Sequence, residues 1–107
     1  MRRVYVSVTK TKDLLEQPIK YARIAGEEMV PWLAQIDGWK GLLMLSNQDD
    51  GRTLVLSFWE SREVAEQHHT ARMQFRDRIT SAVNVEVEET GGYELVFSHL
   101  GPRFPEA

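Results

Sequence analysis

From Thr53 to Trp59 the chain alternates, sending Leu54, Leu56 and Phe58 to one face of a strand and Thr53, Val55, Ser57 and Trp59 to the other. The first set has the composition of plain core. The second mixes small and polar groups with a large indole, as suits a surface packed against something less uniform than a helix. One short polar joint later the pattern becomes helical. Ser61 suits the N-cap, because its hydroxyl can accept a bond from a free amide of the first turn. Glu63 puts negative charge near the positive end of the helix dipole, so a helix is expected from about Arg62. Its buried stripe reads Val64, His68, Ala71, Phe75, Ile79 and Ala82, with Arg62, Glu66, Arg76 and Asp77 facing largely outward.

The remaining elements show the same two periods. Val4 to Thr9 alternates, with three valines on one face and Tyr5, Ser7 and Thr9 on the other. Leu15, Ile19, Ala22, Gly26, Met29, Leu33 and Ile36 recur at spacings of three and four and predict a sheet-covering helix ending near Ile36. Pro18 fits its first turn, where a missing amide hydrogen costs nothing. Pro31 cannot donate to the carbonyl of Glu27, which predicts a kink or break near Val30. Gly38 offers a left-handed stop. Trp39 to Ser46 reads as a second strand, joined to the third through a loop ending in Asp50-Gly51, a strong hairpin signal. Val85-Glu86-Val87 reads as a short extended segment, Gly91-Gly92 as a break and Tyr93 to Ser98 as the last strand. The tail from Gly101 to Pro105 has the look of a segment that frays or lies across a partner subunit.

Strand, helix, strand, strand, helix, strand is the split βαβ order of an α+β, ferredoxin-like fold, with four antiparallel strands and two helices on one face. The other face is expected to carry Tyr5, Ser7, Thr9, Val55, Ser57 and Trp59, which are too apolar for water and too polar for a dry core.

A chain of 107 residues with 42% hydrophobic content is one domain, with a core over residues 3–99 and a tail over 100–107. Thirteen Lys and Arg against 16 Asp and Glu give a net charge of −3, which disfavours nucleic-acid binding driven by phosphate contacts. Cysteine is absent, in keeping with a reducing compartment. The longest apolar runs are too short for a membrane span and no signal-peptide pattern precedes the first strand, so a cytoplasmic location is expected. There is no Gly-rich phosphate loop, no Gly-x-Ser-x-Gly elbow and no His-Glu-x-x-His pair, and His68 and His69 cannot easily converge on one ion.

Phe58-Trp59-Glu60-Ser61, the acidic Glu63 and a histidine nine positions after the tryptophan, His68, resemble the antibiotic biosynthesis monooxygenase family. Asp37-Gly38-Trp39-Lys40-Gly41 resembles that family's entry to its second strand, with Asp37 in place of the usual proline. Where members often carry a second histidine, this chain has Met73. The resemblance covers most of residues 3–99. It implies a dimeric α+β barrel, a homodimer joined through its sheet faces, with a small cavity in each half. It also implies an oxygenase without cofactor or metal, which admits a small phenolic or polyketide-like aromatic and lets the deprotonated substrate react with dioxygen. On this view His68 receives the phenolic proton, Trp59 shapes the pocket, and Ser7 and Ser57 orient oxygens beside Tyr5 and Val55. Arg72 and Arg76, four apart, either grip an anionic substrate or form a solvated face. A haem reading is disfavoured, because Ser7 stands where haem-degrading relatives place asparagine and the iron-binding histidine has no counterpart in Phe75-Arg76-Asp77-Arg78. Each site residue also has a structural reading: Trp59 as interface packing, His68 as a buried neutral imidazole bonded to backbone. The alternative function is a non-catalytic dimeric module of the same fold that binds a small ligand or stabilises an assembly.

Overall fold

The computed structural model describes residues 3–14, 17–83 and 85–106, with the backbone alone for Pro18, Tyr21 and residues 80–83. Its elements are β1 (Tyr5–Asp13), α1 (Pro18–Leu33), β2 (Trp39–Asn47), β3 (Arg52–Trp59), α2 (Arg62–Gln67), α3 (His69–Val83) and β4 (Val85–Glu94). The strands form one antiparallel sheet in the order β2-β3-β1-β4, the ferredoxin-like arrangement. No helix of the described residues is long and apolar enough to cross a membrane.

The local signals account for most boundaries. The Ser61 hydroxyl accepts the amide of Val64 at 3.3 Å and caps α2. Gly51, at φ +71°, closes the β2–β3 hairpin and donates its amide to the Asn47 carbonyl. Gly38 sits at φ +91° in the α1–β2 turn, and a Cβ there would meet Val64 at 2.8 Å, so the turn presses directly on α2. Pro31 lies inside α1 without splitting it; the helix runs on to Leu33 and ends there, three residues short of Ile36. Leu15, the first residue of the expected stripe, lies outside the described residues. From Ala22 onward the inward positions are Ala22, Ala25, Met29, Trp32 and Leu33, while Ile19 is exposed.

Two differences reorganise the site. The sheet faces are exchanged relative to the sequence expectation: Ser7, Thr9, Val55 and Ser57 look toward α1 and α3, and Trp59 is fully buried with Leu33 and Ala65. Tyr5 packs against that same cluster. The face without helices therefore carries the apolar set of Val6, Val8, Leu54, Leu56 and Phe58, of which Val6 is buried, joined through the strand register by Leu43, Leu45 and Tyr93. Alternation separates two sets of side chains but does not say which one the helices cover. The second difference is a break at His68, which caps α2 at φ −105° and ψ 16° and separates it from α3. The break shifts the phase of α3 relative to α2. Ala71, expected inside, is exposed, and Arg72, Phe75, Arg76 and Ile79 form the inward stripe at spacings of three, one and three.

β4 is also longer and earlier than the pattern suggests, because the Gly91-Gly92 pair is part of the strand. A Cβ on Gly92 would run into the Tyr5 hydroxyl and ring, so the glycine makes room for that phenol on the helix-facing side. The ladder to β1 ends with the Leu95 amide on the Val4 carbonyl at 2.8 Å, and Val96 and Phe97 beyond it are 76% and 82% exposed. Gly92→Ala is therefore expected to destabilise the fold by about 1–3 kcal/mol through overpacking against Tyr5. In urea unfolding, combining it with Tyr5→Ala should cost clearly less than the sum of the two single changes. Additive costs would show that the two residues do not share the space.

Candidate functional site

The helix-facing side of the sheet does not pack solidly against the helices. Between them lies a cavity of about 100 Å³. β1 contributes Ser7, Thr9, Thr11 and Asp13 to its floor, and β3 adds Thr53, Val55 and Ser57. α1 supplies Met29 and Trp32, and α3 supplies Arg72, Met73, Phe75 and Ile79. Trp32 and Phe75 stack with ring centroids 4.7 Å apart and planes 8° from parallel, which ties the two helices together over the cavity.

Its polar features concentrate around Trp59, Ser7, Ser57 and Arg72. Ser7 and Ser57 are register partners, so they stand side by side on neighbouring strands. The Trp59 indole N–H donates to Ser7 Oγ at 3.1 Å, fixing both the ring and the hydroxyl. The Arg72 guanidinium lies 5.0 Å from the Trp59 ring centroid, a cation–π contact, and its Nη2 donates to the Ala65 carbonyl at 2.8 Å. Burial pushes the Arg72 pKa below the ordinary arginine value, and the nearby Tyr5 works in the opposite direction. Among the described residues no carboxylate pairs with Arg72, whereas neighbouring Arg76 bonds Asp77 through Nε and Nη2 at 3.2 and 3.0 Å. The buried Ser57 Oγ and Arg72 Nε have no hydrogen-bond partner among the described residues. The arrangement is a largely apolar slot lined at one end by Ser7, Ser57 and Arg72, with two buried polar atoms there that lack a partner among the described residues, and further along by Arg76 and the buried Asp13 carboxylate, six residues along β1 from Ser7. Such a slot can hold a planar apolar body and favour negative charge at one end.

The structure thus brings Ser7, Val55, Ser57 and Arg72 to one cavity, with Trp59 behind them under the guanidinium. Tyr5 sits beside Trp59 in the core and over Gly92, and is not a lining residue. His68 is half-buried at the α2–α3 junction, where its carbonyl accepts the Arg72 amide at 2.9 Å, and it too is absent from the wall. That corrects its expected position at the cavity mouth. The break that moves His68 aside is what turns Arg72 inward. Trp32 and Phe75 stand on helix faces, and nothing in the sequence marks them as a stacked pair. Among the described residues no group of three or more acidic or histidine side chains is disposed to hold a metal ion.

No model of a known family and no curated protein matches the sequence. Solved structures do match. A candidate antibiotic biosynthesis monooxygenase from Deinococcus radiodurans superposes with a TM-score of 0.64 at 17% identity, covering 92% of this chain and 99% of its own. SnoaB, a cofactor-independent oxygenase from Streptomyces nogalater, gives 0.62 at 9% identity over 94% of this chain and 98% of its own. The monooxygenase ActVA-Orf6 of Streptomyces coelicolor, solved with the ligand Nanaomycin D, gives 0.64 at 14% identity over 92% and 91%. Identities this low speak for architecture rather than chemistry. The chain has the fold of the antibiotic biosynthesis monooxygenases.

Proposed function

We propose that the cavity between sheet and helices is the active site of a cofactor-independent monooxygenase acting on a small phenolic or polyketide-like aromatic. The observation that carries this reading is the half-buried Arg72, unpaired with any described carboxylate and seated on a tryptophan that is itself bonded to Ser7. The fold shared with SnoaB and ActVA-Orf6 supports it. A guanidinium beside the ring favours the ionised phenol, since a nearby positive charge stabilises the charged form of an acid. The electron-rich ring then forms a carbon–oxygen bond to dioxygen. Cleavage of the O–O bond with loss of one water leaves a quinone, so one phenol and one dioxygen give one quinone and one water. The substrate supplies all the electrons. Ser57 and Ser7 orient substrate oxygens, Val55 and Trp32 form apolar wall, and Trp59 holds Arg72 and Ser7 in place. The second reading, a non-catalytic ligand-binding module, draws support from the absence of His68 from the cavity wall.

Oxygen uptake over a panel of mono- and polycyclic phenols and hydroquinones tests the reading. One member should consume dioxygen, Arg72→Met should lower its turnover on the order of a hundredfold, and His68→Ala should change it by no more than about threefold. A panel that consumes no oxygen contradicts the oxygenase and leaves the binding module.

We infer further that the chain is a homodimer joined through its uncovered sheet faces. Leu45, Leu54 and Tyr93 on that face are 53%, 36% and 63% exposed, and a contiguous apolar surface of this kind on a sheet is one that water disfavours. The double change Leu45→Lys, Leu54→Lys should convert a dimer to a monomer in light scattering while leaving the far-ultraviolet circular dichroism intact. An unmodified chain that stays monomeric at micromolar concentration contradicts the inference.

A further inference from the structure

The cavity restricts its ligand more narrowly than small aromatics in general. Size is the first restriction. At about 100 Å³ it is smaller than the roughly 150 Å³ that admits a benzene in an engineered apolar core. It is far below the roughly 300 Å³ where drug-sized ligands begin to fit. Met29, Met44 and Met73 line it, and thioether side chains repack readily around an entering group. A single ring needs these side chains to yield. Two or three fused rings would need α1 and α3 to part, at the cost of the Trp32–Phe75 stack.

Charge is the second restriction. The Arg72 guanidinium is partly desolvated and has no carboxylate partner among the described residues. Its Nη2 is engaged by the Ala65 carbonyl, whereas its Nε is buried and has no partner among the described residues. Ser57, only 8% exposed, lines the same cavity with an Oγ likewise without one. A buried donor left unmade carries a standing penalty, which a ligand with two acceptor oxygens would relieve at both atoms. A carboxylate has two such oxygens in the plane a guanidinium recognises. It is also an anion before it enters: carboxylic acids ionise near pH 4, and a phenol near about pH 10. A neutral amide of the same shape offers one acceptor and turns an N–H toward the cation.

We propose that the ligand is a single-ring hydroxyarene carboxylate, whose carboxylate accepts from Arg72 Nε and Ser57 Oγ while its ring lies in the apolar slot. This rests on the oxygenase reading for its hydroxyl, the group to be ionised and oxidised, but its recognition by Arg72 and Ser57 is testable without turnover.

The test is titration of the intact protein by calorimetry and by quenching of its tryptophan fluorescence. The probes are benzoate, 2-hydroxybenzoate, 2,5-dihydroxybenzoate, benzamide and 2-anthracenecarboxylate. The three benzoates should bind, with benzamide and the anthracene acid each weaker by about tenfold or more. Arg72→Met should abolish the preference for benzoate over benzamide. Arg72→Lys should keep part of it, and Ser57→Ala should weaken benzoate by about tenfold, with thermal melts confirming that each variant is folded. Benzamide binding as tightly as benzoate would overturn the proposal, as would an anthracene acid binding tighter than the benzoates. Arg72-dependent benzoate binding without oxygen uptake by any hydroxybenzoate supports the recognition and removes the oxygenase. Oxygen uptake by polycyclic phenols, with no binding of single-ring carboxylates, does the reverse.

Discussion

The site depends on one buried indole. Trp59 is fully enclosed at the end of β3, its N–H held by Ser7 on β1 and its ring covered by Arg72 from α3. Three elements distant in sequence are thereby fixed to one another by a single side chain. Burial of a ring this size contributes several kcal/mol of hydrophobic stabilisation, and its polar edge would make that burial costly without the serine. The serine in turn has its hydroxyl oriented, and the guanidinium gains a flat apolar seat in place of water. An arginine held this way has already lost much of its side-chain freedom, which lowers the cost of binding an anion if one arrives.

How the chain comes to present an arginine there is a matter of helix phase. A continuous helix from Arg62 would place Ala71 inside and Arg72 at the edge. The turn at His68 ends α2 after six residues and restarts α3 one residue later, so that Arg72, Phe75 and Ile79 point inward together. The histidine whose spacing from the tryptophan resembles a family motif sits at the joint between the two helices, with its carbonyl accepting the Arg72 amide. Its imidazole is left off the cavity wall.

Much of the fold was legible because its signals are local. Ser61 as a cap, Asp50-Gly51 as a hairpin and the alternation in β1 and β3 each depend on a few neighbouring residues, and each is present, whereas Gly38 takes its left-handed conformation in the turn into β2, five residues after α1 has ended at Leu33. Alternation could not supply the sign of the sheet. The Leu54, Leu56 and Phe58 set is the more apolar and reads as core, yet the helices cover the mixed set instead. This inversion has a physical sense: a face mixing serines and threonines with apolar groups can line a ligand cavity, and a face with a large apolar patch bordered by charges such as Lys10 and Arg52 is suited to association. Gly91-Gly92 was misleading for a similar reason. Glycine pairs usually interrupt strands, but here the missing side chain answers Tyr5 on the neighbouring strand, at the other end of the sequence, a tertiary demand that no local pattern carries.

On the proposed reading, Arg72, turned inward over Trp59 with no carboxylate partner among the described residues, is the cation that receives an anionic ligand. Nitrogen-detected NMR of the arginine side chains measures this directly. The expected result is an Arg72 Nε–H resonance protected from exchange with water in the free protein and shifted downfield on adding benzoate, with no comparable shift on adding benzamide. An Arg72 Nε–H that exchanges as fast as that of exposed Arg62, or that is indifferent to benzoate at saturating concentration, would contradict it.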